Sequence, residues 1–339
     1  MFDYDRYASS MTESHHIPVI DIAAVHSPGS REYDALAREF YRVYSTVGFS
    51  YIINHGVPDN LVERVFLASE KFHQLPLEQK MAVELNHLHR GFIPIDTSTD
   101  VNSMLADVSH PNQSESFMVM REDDNDAPTV KARDYLAGAN QWPELPGFRE
   151  DVMAYNKAMS DLAGRLIGVV SHALGDAQVL KDSFKLPTTW LRLLYYPPSK
   201  NSVDDSVTQG VYGSAPHTDF GCLTLLAQDD IGGLQVQSNT GEWIDVPRME
   251  GSFVVNAGDM LHRWSNGLLR STPHRVINTS GLARYSCPFF YDPHVTANIL
   301  PLPSCVSADN PARYEPVNFG GFLRAELEAG YAHHKKAGS

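Results

Sequence analysis

The chain has 339 residues and a mass of 37.7 kDa, with 42% hydrophobic and 20% charged residues. That composition is ordinary for a soluble globular protein and too apolar for a disordered one. Its 27 Lys and Arg against 41 Asp and Glu leave a net charge of −14, and without a basic stripe this argues against nucleic acid or an anionic membrane as the main partner.

No apolar run approaches the roughly 18 residues of a membrane span. Met1–Ile17 carries Asp3, Asp5 and Glu13 without an apolar segment, so it does not read as a secretory signal. Cys222, Cys287 and Cys305, with no CxxC among them, read as reduced, buried thiols. The expectation is a cytoplasmic protein, a monomer or weak homo-oligomer.

In chain order, Ser30 is placed to cap a helix over Arg31–Val47, whose Leu36, Phe40, Val43 and Val47 share a face, and Gly48 stops it. A strand follows at Phe49–Ile53. Pro58 then opens a second helix carrying Val62, Val65, Phe66 and Phe72. Glu122–Ala127, rich in Asp, reads as a solvated loop. The longest helix signal runs from Phe148 to Leu174 and stops at Gly175, with His172 read as a core or capping residue.

After Leu186 the texture changes to short β-rich runs: Trp190–Tyr196, Leu223–Ala227, Leu234–Gln237, Trp243–Val246, Phe253–Asn256, Arg275–Asn278 and Tyr285–Tyr291. Such spacing suggests a sandwich or barrel. A final helix at about Gly321–Ala329 closes a chain without internal repeats or a domain-splitting linker. Residues 1–339 thus read as one catalytic unit: an N-terminal helical and strand region over 17–120, a β core over 186–295, and a C-terminal helix over 318–331.

His217-Thr218-Asp219 is meaningless as a bare tripeptide in a chain with 15 His and 41 acids. In an extended segment, however, residues i and i+2 point to one side, so an imidazole and a carboxylate can meet one point. His274, opening a later strand, offers a third ligand. Two His and one carboxylate on one face of a metal is the donor set of non-haem Fe(II) oxygenases.

Pro216–Gln228 (PHTDFGCLTLLAQ), Gly258–Val276 (GDMLHRWSNGLLRSTPHRV) and Arg284-Tyr285-Ser286 resemble the 2-oxoglutarate/Fe(II)-dependent dioxygenases of the isopenicillin N synthase-like branch. Ile17–Ile22 (IPVIDI), Gly48–Val57 (GFSYIINHGV) and Arg90–Pro94 (RGFIP) resemble its N-terminal region, so the likeness runs from about residue 17 to 330. The resemblance implies a double-stranded β-helix (jelly-roll) core with flanking helices and iron held by His217, Asp219 and His274. It further implies that Arg284, Ser286 and Tyr196 bind the distal carboxylate of 2-oxoglutarate; a guanidinium forks naturally onto a carboxylate.

The implied activity couples decarboxylation of 2-oxoglutarate to succinate and CO2 with O2-dependent oxidation, chiefly hydroxylation, of a small-molecule C–H bond, with ascorbate as an accessory reductant. Arg192, Phe117 and Phe290 stand where relatives approach the substrate. Leu194 replaces an Asn usual in the family, and His262 stands where Gln or Glu is common. His262, His294, His15–His16 and His333–His334 are not assigned to the site, and Cys287 reads as a core residue. The competing readings are a 2-oxoglutarate-independent iron oxidase of the same branch, a zinc hydrolase, for which no HExxH is present, and an inactive binding protein.

Overall fold

The computed structural model describes residues 16–99, 105, 110–124, 126–199 and 201–330; His15 and the pair His333–His334 lie outside them. An eight-stranded sheet runs, in spatial order, β1 (Val19–Asp21), β2 (Phe49–Ile53), β10 (Ser252–Ala257), β7 (Leu223–Gln228), β12 (Arg284–Asp292), β5 (Thr188–Tyr196), β4 (Glu115–Met120) and β3 (Gly91–Ile93). Only β1 and β2 are parallel. A four-stranded sheet has the order β6 (Ser214–His217), β11 (His274–Val276), β8 (Leu234–Gln237), β9 (Trp243–Asp245).

The two sheets face one another. Phe49, Leu194 and Tyr196 from the large sheet pack with Leu234, Val236 and Val276 from the small one. This is the double-stranded β-helix, with its flanking helices, that the motifs implied.

Alternation along each strand sends the next residue to the opposite face. On the outer face Leu191, Leu193, Leu225, Cys287 and Phe289 meet the buried stripes of α1 (Arg31–Thr46), α2 (Asp59–His73) and α3 (Phe148–Leu174). Ser30 caps α1 by accepting from the Tyr33 amide at 3.1 Å, and Gly175 ends α3 in a left-handed conformation, φ 73°. Leu162, Leu166 and Val169 of α3 are fully buried, each stabilising the packing by about 1.5–3 kcal/mol. Two more helices matter for the site, α4 (Asp259–Trp264) and α5 (Phe319–Gly330). No described helix is long and apolar enough to cross a membrane.

The largest departure from the sequence reading is in the region over 17–120, where β1, β3 and β4, not read as strands, join β2 so that it supplies half the strands of the large sheet beside its helices. Glu115–Met120 is buried at every position, so it carries no period-2 signal. The strand at Ser214–His217 is short and contains Pro216, which hides it. The last helix starts at Phe319, ahead of Gly320 and Gly321; a Cβ at Gly320 would meet the Val295 carbonyl at 2.6 Å, so close approach explains a residue that looks like a helix breaker. His172 is neither core nor cap: it is half-exposed and pairs with Asp34 at 2.8 Å.

Candidate metal centre

β6 and β11 are antiparallel neighbours, and His217 and His274 are direct register partners, which puts their ring centroids 4.3 Å apart. Asp219 lies just beyond the end of β6. Its Oδ1 is 3.8 Å from Nε2 of His217 and 3.7 Å from Nε2 of His274. One ligand atom from each residue falls within 4.8 Å of the others, the one such group among the described residues. Two bonds of roughly 2.1 Å to a central ion span these separations.

The hydrogen bonds set the donor atoms. Nδ1 of His217 meets the Ala215 carbonyl at 2.7 Å, and Nδ1 of His274 meets the Thr272 carbonyl at 3.2 Å. A carbonyl only accepts, so each Nδ1 carries the proton and each Nε2 lone pair faces Asp219. The other oxygen of Asp219 accepts from Thr224 Oγ1 at 2.5 Å and Asn256 Nδ2 at 2.7 Å. Burial alone would raise the Asp219 carboxyl, but the two histidines and these donors outweigh it and hold it below its ordinary value. Two imidazoles that present Nε2 and one carboxylate, all oriented, fit a divalent first-row ion such as Fe(II).

On the inner face of the large sheet, Arg284 is fully buried. Its Nη1 donates to Ser286 Oγ at 3.3 Å, its Nη2 to Gln228 Oε1 at 3.4 Å, and its guanidinium lies 4.7 Å from the Tyr196 ring centre. Gln228 is fixed because its amide donates to the Val246 carbonyl at 2.8 Å. Nε of Arg284 has no partner, and no carboxylate of the described residues pairs with this cation. A buried guanidinium left with only long, neutral contacts is costly, and a ligand carboxylate is its natural complement.

A cavity of about 200 Å³ opens beside His217 and Asp219, walled by Trp190, Arg192, Phe220, Phe290 and Phe322. Arg192 donates through Nε to Ser116 Oγ at 2.9 Å, and its Nη2 is buried with no protein partner. Arg192 and Phe290 therefore reach the cavity, but Phe117 does not. It packs on the outer face between Phe72 and Phe148, with ring centroids at 4.7 and 5.3 Å, while its neighbour Met118, the register partner of Arg192, lines the cavity. The resemblance placed Phe117 near the substrate, and Met118, its neighbour on a strand the sequence did not reveal, has that place instead.

Leu194 lies buried between Ser116 and Ser286 on the inner face, an apolar step where an amide would offer hydrogen bonds. His262 is engaged elsewhere, with Leu269 carbonyl at 2.6 Å and Tyr314 hydroxyl at 2.8 Å. Thr224, Asn256, Gln228 and the α5 residue Phe322 had no place in the sequence reading. Thr224 and Gln228, like Phe220, sat within the quoted Pro216–Gln228 motif without being singled out, whereas Asn256 and Phe322 lie outside the quoted motifs.

The 2OG-Fe(II) oxygenase superfamily model matches residues 187–293, and the model described as the non-haem dioxygenase in morphine synthesis N-terminal matches residues 17–145. The 2-oxoglutarate-Fe(II) type oxidoreductase hxnY of Emericella nidulans is 32% identical, over 93% of this chain and 90% of that protein. The 2-oxoglutarate-dependent dioxygenase citB of Monascus ruber is 34% identical, over 86% and 89% respectively. Among solved structures, a full-length Neurospora crassa protein in complex with alpha-KG and thymine superposes with a TM-score of 0.80 at 30% identity, covering 94% of this chain and 98% of its own. An oriented two-His, one-carboxylate centre, a buried guanidinium on the inner face of the opposing sheet and these likenesses have one common explanation: the chain belongs to the 2-oxoglutarate/Fe(II)-dependent oxygenases, with Fe(II) and 2-oxoglutarate as its cofactor and cosubstrate.

Proposed function

We propose that His217, Asp219 and His274 are the Fe(II) ligands, that Arg284, Ser286 and Tyr196 receive the distal carboxylate of 2-oxoglutarate, and that the adjoining cavity takes a small molecule for hydroxylation. The reading rests on the triad standing between the two sheets with a buried guanidinium of the large sheet that makes no direct ion pair among the described residues, Asp229 acting on it only at longer range. β7 links the two: Thr224 anchors Asp219 and Gln228, on the same strand face, meets Arg284.

The residues divide the work. The Ala215 and Thr272 carbonyls hold the imidazole protons at Nδ1. Arg284 neutralises and orients the dianion, with Tyr196 and Leu194 excluding water around it. When bound, iron supplies the O2 chemistry that couples decarboxylation of 2-oxoglutarate to C–H oxidation.

Aromatic walls at Phe220 and Phe290, with an open Nη2 on Arg192, favour a flat, largely apolar substrate carrying a carbonyl or an anionic oxygen. The Neurospora crassa relative holds thymine, a ring of that shape. Three buried free thiols support a cytoplasmic location, and the charge of −14 supports a monomeric or weakly associating protein without a nucleic-acid partner. Strands from residues 49–53 and 115–120 sharing a sheet with 188–196 and 252–257 support treating the chain as one catalytic unit.

Succinate release, measured with Fe(II) and O2 across a panel of small ring acids, lactams and phenols, tests the reading. Turnover of 2-oxoglutarate coupled to a hydroxylated product supports it. Oxidation of a substrate with no 2-oxoglutarate requirement overturns it. Arg192→Leu is expected to raise the KM of the accepted substrate while leaving the 2-oxoglutarate KM in place.

A further inference from the structure

The loop from Asp219 to Cys222 is gripped from two sides. On one side the start of α4 closes on it: the amides of Asp259, Met260 and Gly258 donate to the carbonyls of Asp219, Gly221 and Cys222 at 2.8, 2.9 and 2.9 Å. On the other side stands Asp292, the last residue of β12, only 1% exposed. Its Oδ1 accepts from the Cys222 amide at 2.7 Å, and its Oδ2 accepts from Trp190 Nε1 at 2.9 Å. The fit against the loop is close, since a Cβ on Gly221 would overlap the Asp292 carboxylate. Asp292 and Trp190 both face the cavity beside His217 and Asp219.

Nothing in the chemistry of 2-oxoglutarate requires a carboxylate here, and burying one is costly without donors to each oxygen. An apolar side chain would avoid that cost but would leave the Cys222 amide and Trp190 Nε1 without an acceptor. What the carboxylate adds is two directional bonds from one rigid group, one to the backbone that carries a metal ligand and one to the substrate wall. We infer that Asp292 is a positioning residue: it staples the Asp219–Cys222 loop, and so the metal-facing carboxylate, to the same strand end that sets Trp190 in the cavity. The inference rests on Asp219 being a metal ligand.

Mn(II), a redox-inert probe, reads the effect directly. Its affinity for the apoprotein is measured by calorimetry or by the loss of its free-ion electron paramagnetic resonance signal, alongside a thermal melt. Asp292→Ala is expected to weaken Mn(II) binding by about 10-fold or more, the size of effect for residues that orient ligands from behind. Trp190→Phe removes only the second donor, so Mn(II) affinity stays within about threefold of wild type while the primary-substrate KM rises. Asp292→Asn has one acceptor for two donors and weakens Mn(II). In the Trp190→Phe background its amide oxygen is free for the Cys222 amide, and affinity recovers.

If Asp292→Ala does not fold, the Asn variant and its rescue decide the matter. Wild-type Mn(II) affinity in either folded Asp292 single variant overturns the inference, as does failure of the double variant to recover. Failure of the iron reading itself is distinguishable, because the wild-type protein would then bind no Mn(II) that His217→Ala removes.

Discussion

His217 and His274 repeat the same local device on two strands: each imidazole donates through Nδ1 to the carbonyl two residues before it, Ala215 and Thr272. Because the two residues are also register partners, one strand pairing brings together two rings with the same tautomer and the same outlook. The short sheet builds a two-nitrogen platform from backbone hydrogen bonds, and Asp219 completes it.

His217→Ala or Asp219→Ala should therefore remove turnover. Losing a ligand costs more than the 10- to 100-fold typical of the groups behind ligands, so succinate formation is expected to fall by more than about 100-fold. A His217→Ala protein with wild-type iron-dependent activity would refute the ligand assignment.

Arg284→Ala should act on the cosubstrate. Truncating one partner of a buried charge pair costs about 2–5 kcal/mol, and the lower end of that range corresponds to roughly 30-fold in the 2-oxoglutarate KM. Mn(II) affinity of the protein without 2-oxoglutarate should stay put. An unchanged KM would show that the dianion binds elsewhere.

Asn256→Ala removes one of the two donors on the rear oxygen of Asp219. The carboxylate then has freedom to swing from its metal-facing orientation, and Fe(II) affinity measured anaerobically should drop by about 10-fold. Thr224→Val removes the other donor and should do the same. If neither variant loosens the metal, the second oxygen of Asp219 is not what holds its aim.

A separate cluster governs acid stability. Behind β5, the buried Glu115 carboxylate takes Lys80 Nζ at 2.5 Å and His73 Nδ1 at 2.9 Å. Burial raises the Glu115 carboxyl, but the hydrogen bonds and charge supplied by His73 and Lys80 more than offset it, and it sits below its ordinary value. A lowered folded value means that this stabilisation is complete above about pH 4.3, the unfolded value, and is lost as pH falls through the folded one. Lys80→Met should cost about 3–5 kcal/mol at neutral pH and flatten the fall in stability between about pH 5 and pH 3. Urea unfolding at three pH values checks it, and an undiminished neutral-pH midpoint would exclude the cluster as a stabilising unit.

The sequence was most legible where a signal repeats locally. The 3.6-residue period and glycine stop of Phe148–Leu174 located α3 to the residue, and the i, i+2 spacing of His217 and Asp219 foretold their common side. It was least legible where a residue's role depends on a neighbour far along the chain. Asn256 and Asp292 hold the Asp219 segment from two distant strands, and no spacing in one dimension announces such a meeting. Phe117, expected near the substrate by resemblance alone, lies on the opposite face from the cavity, since neighbouring residues of a strand face opposite sides. With Glu115–Met120 buried on both sides, hydropathy could not tell those faces apart.

The wall contributed by α5 comes from the last described turns of the chain. Phe322, Glu326 and Leu327 stand opposite the sheet, and the Gly330 carbonyl accepts from the Thr99 amide at 3.0 Å. None of these residues belongs to the two strands that orient the histidines or to the one that carries Arg284. The helical part of the wall is thus separable from the chemistry, whereas Phe290 and Arg192 share their strands with Arg284 and Tyr196. Exchanging the terminal helix for a different one reshapes what is accepted while the oxidising apparatus is inherited intact, which gives one scaffold an inexpensive route to new substrates.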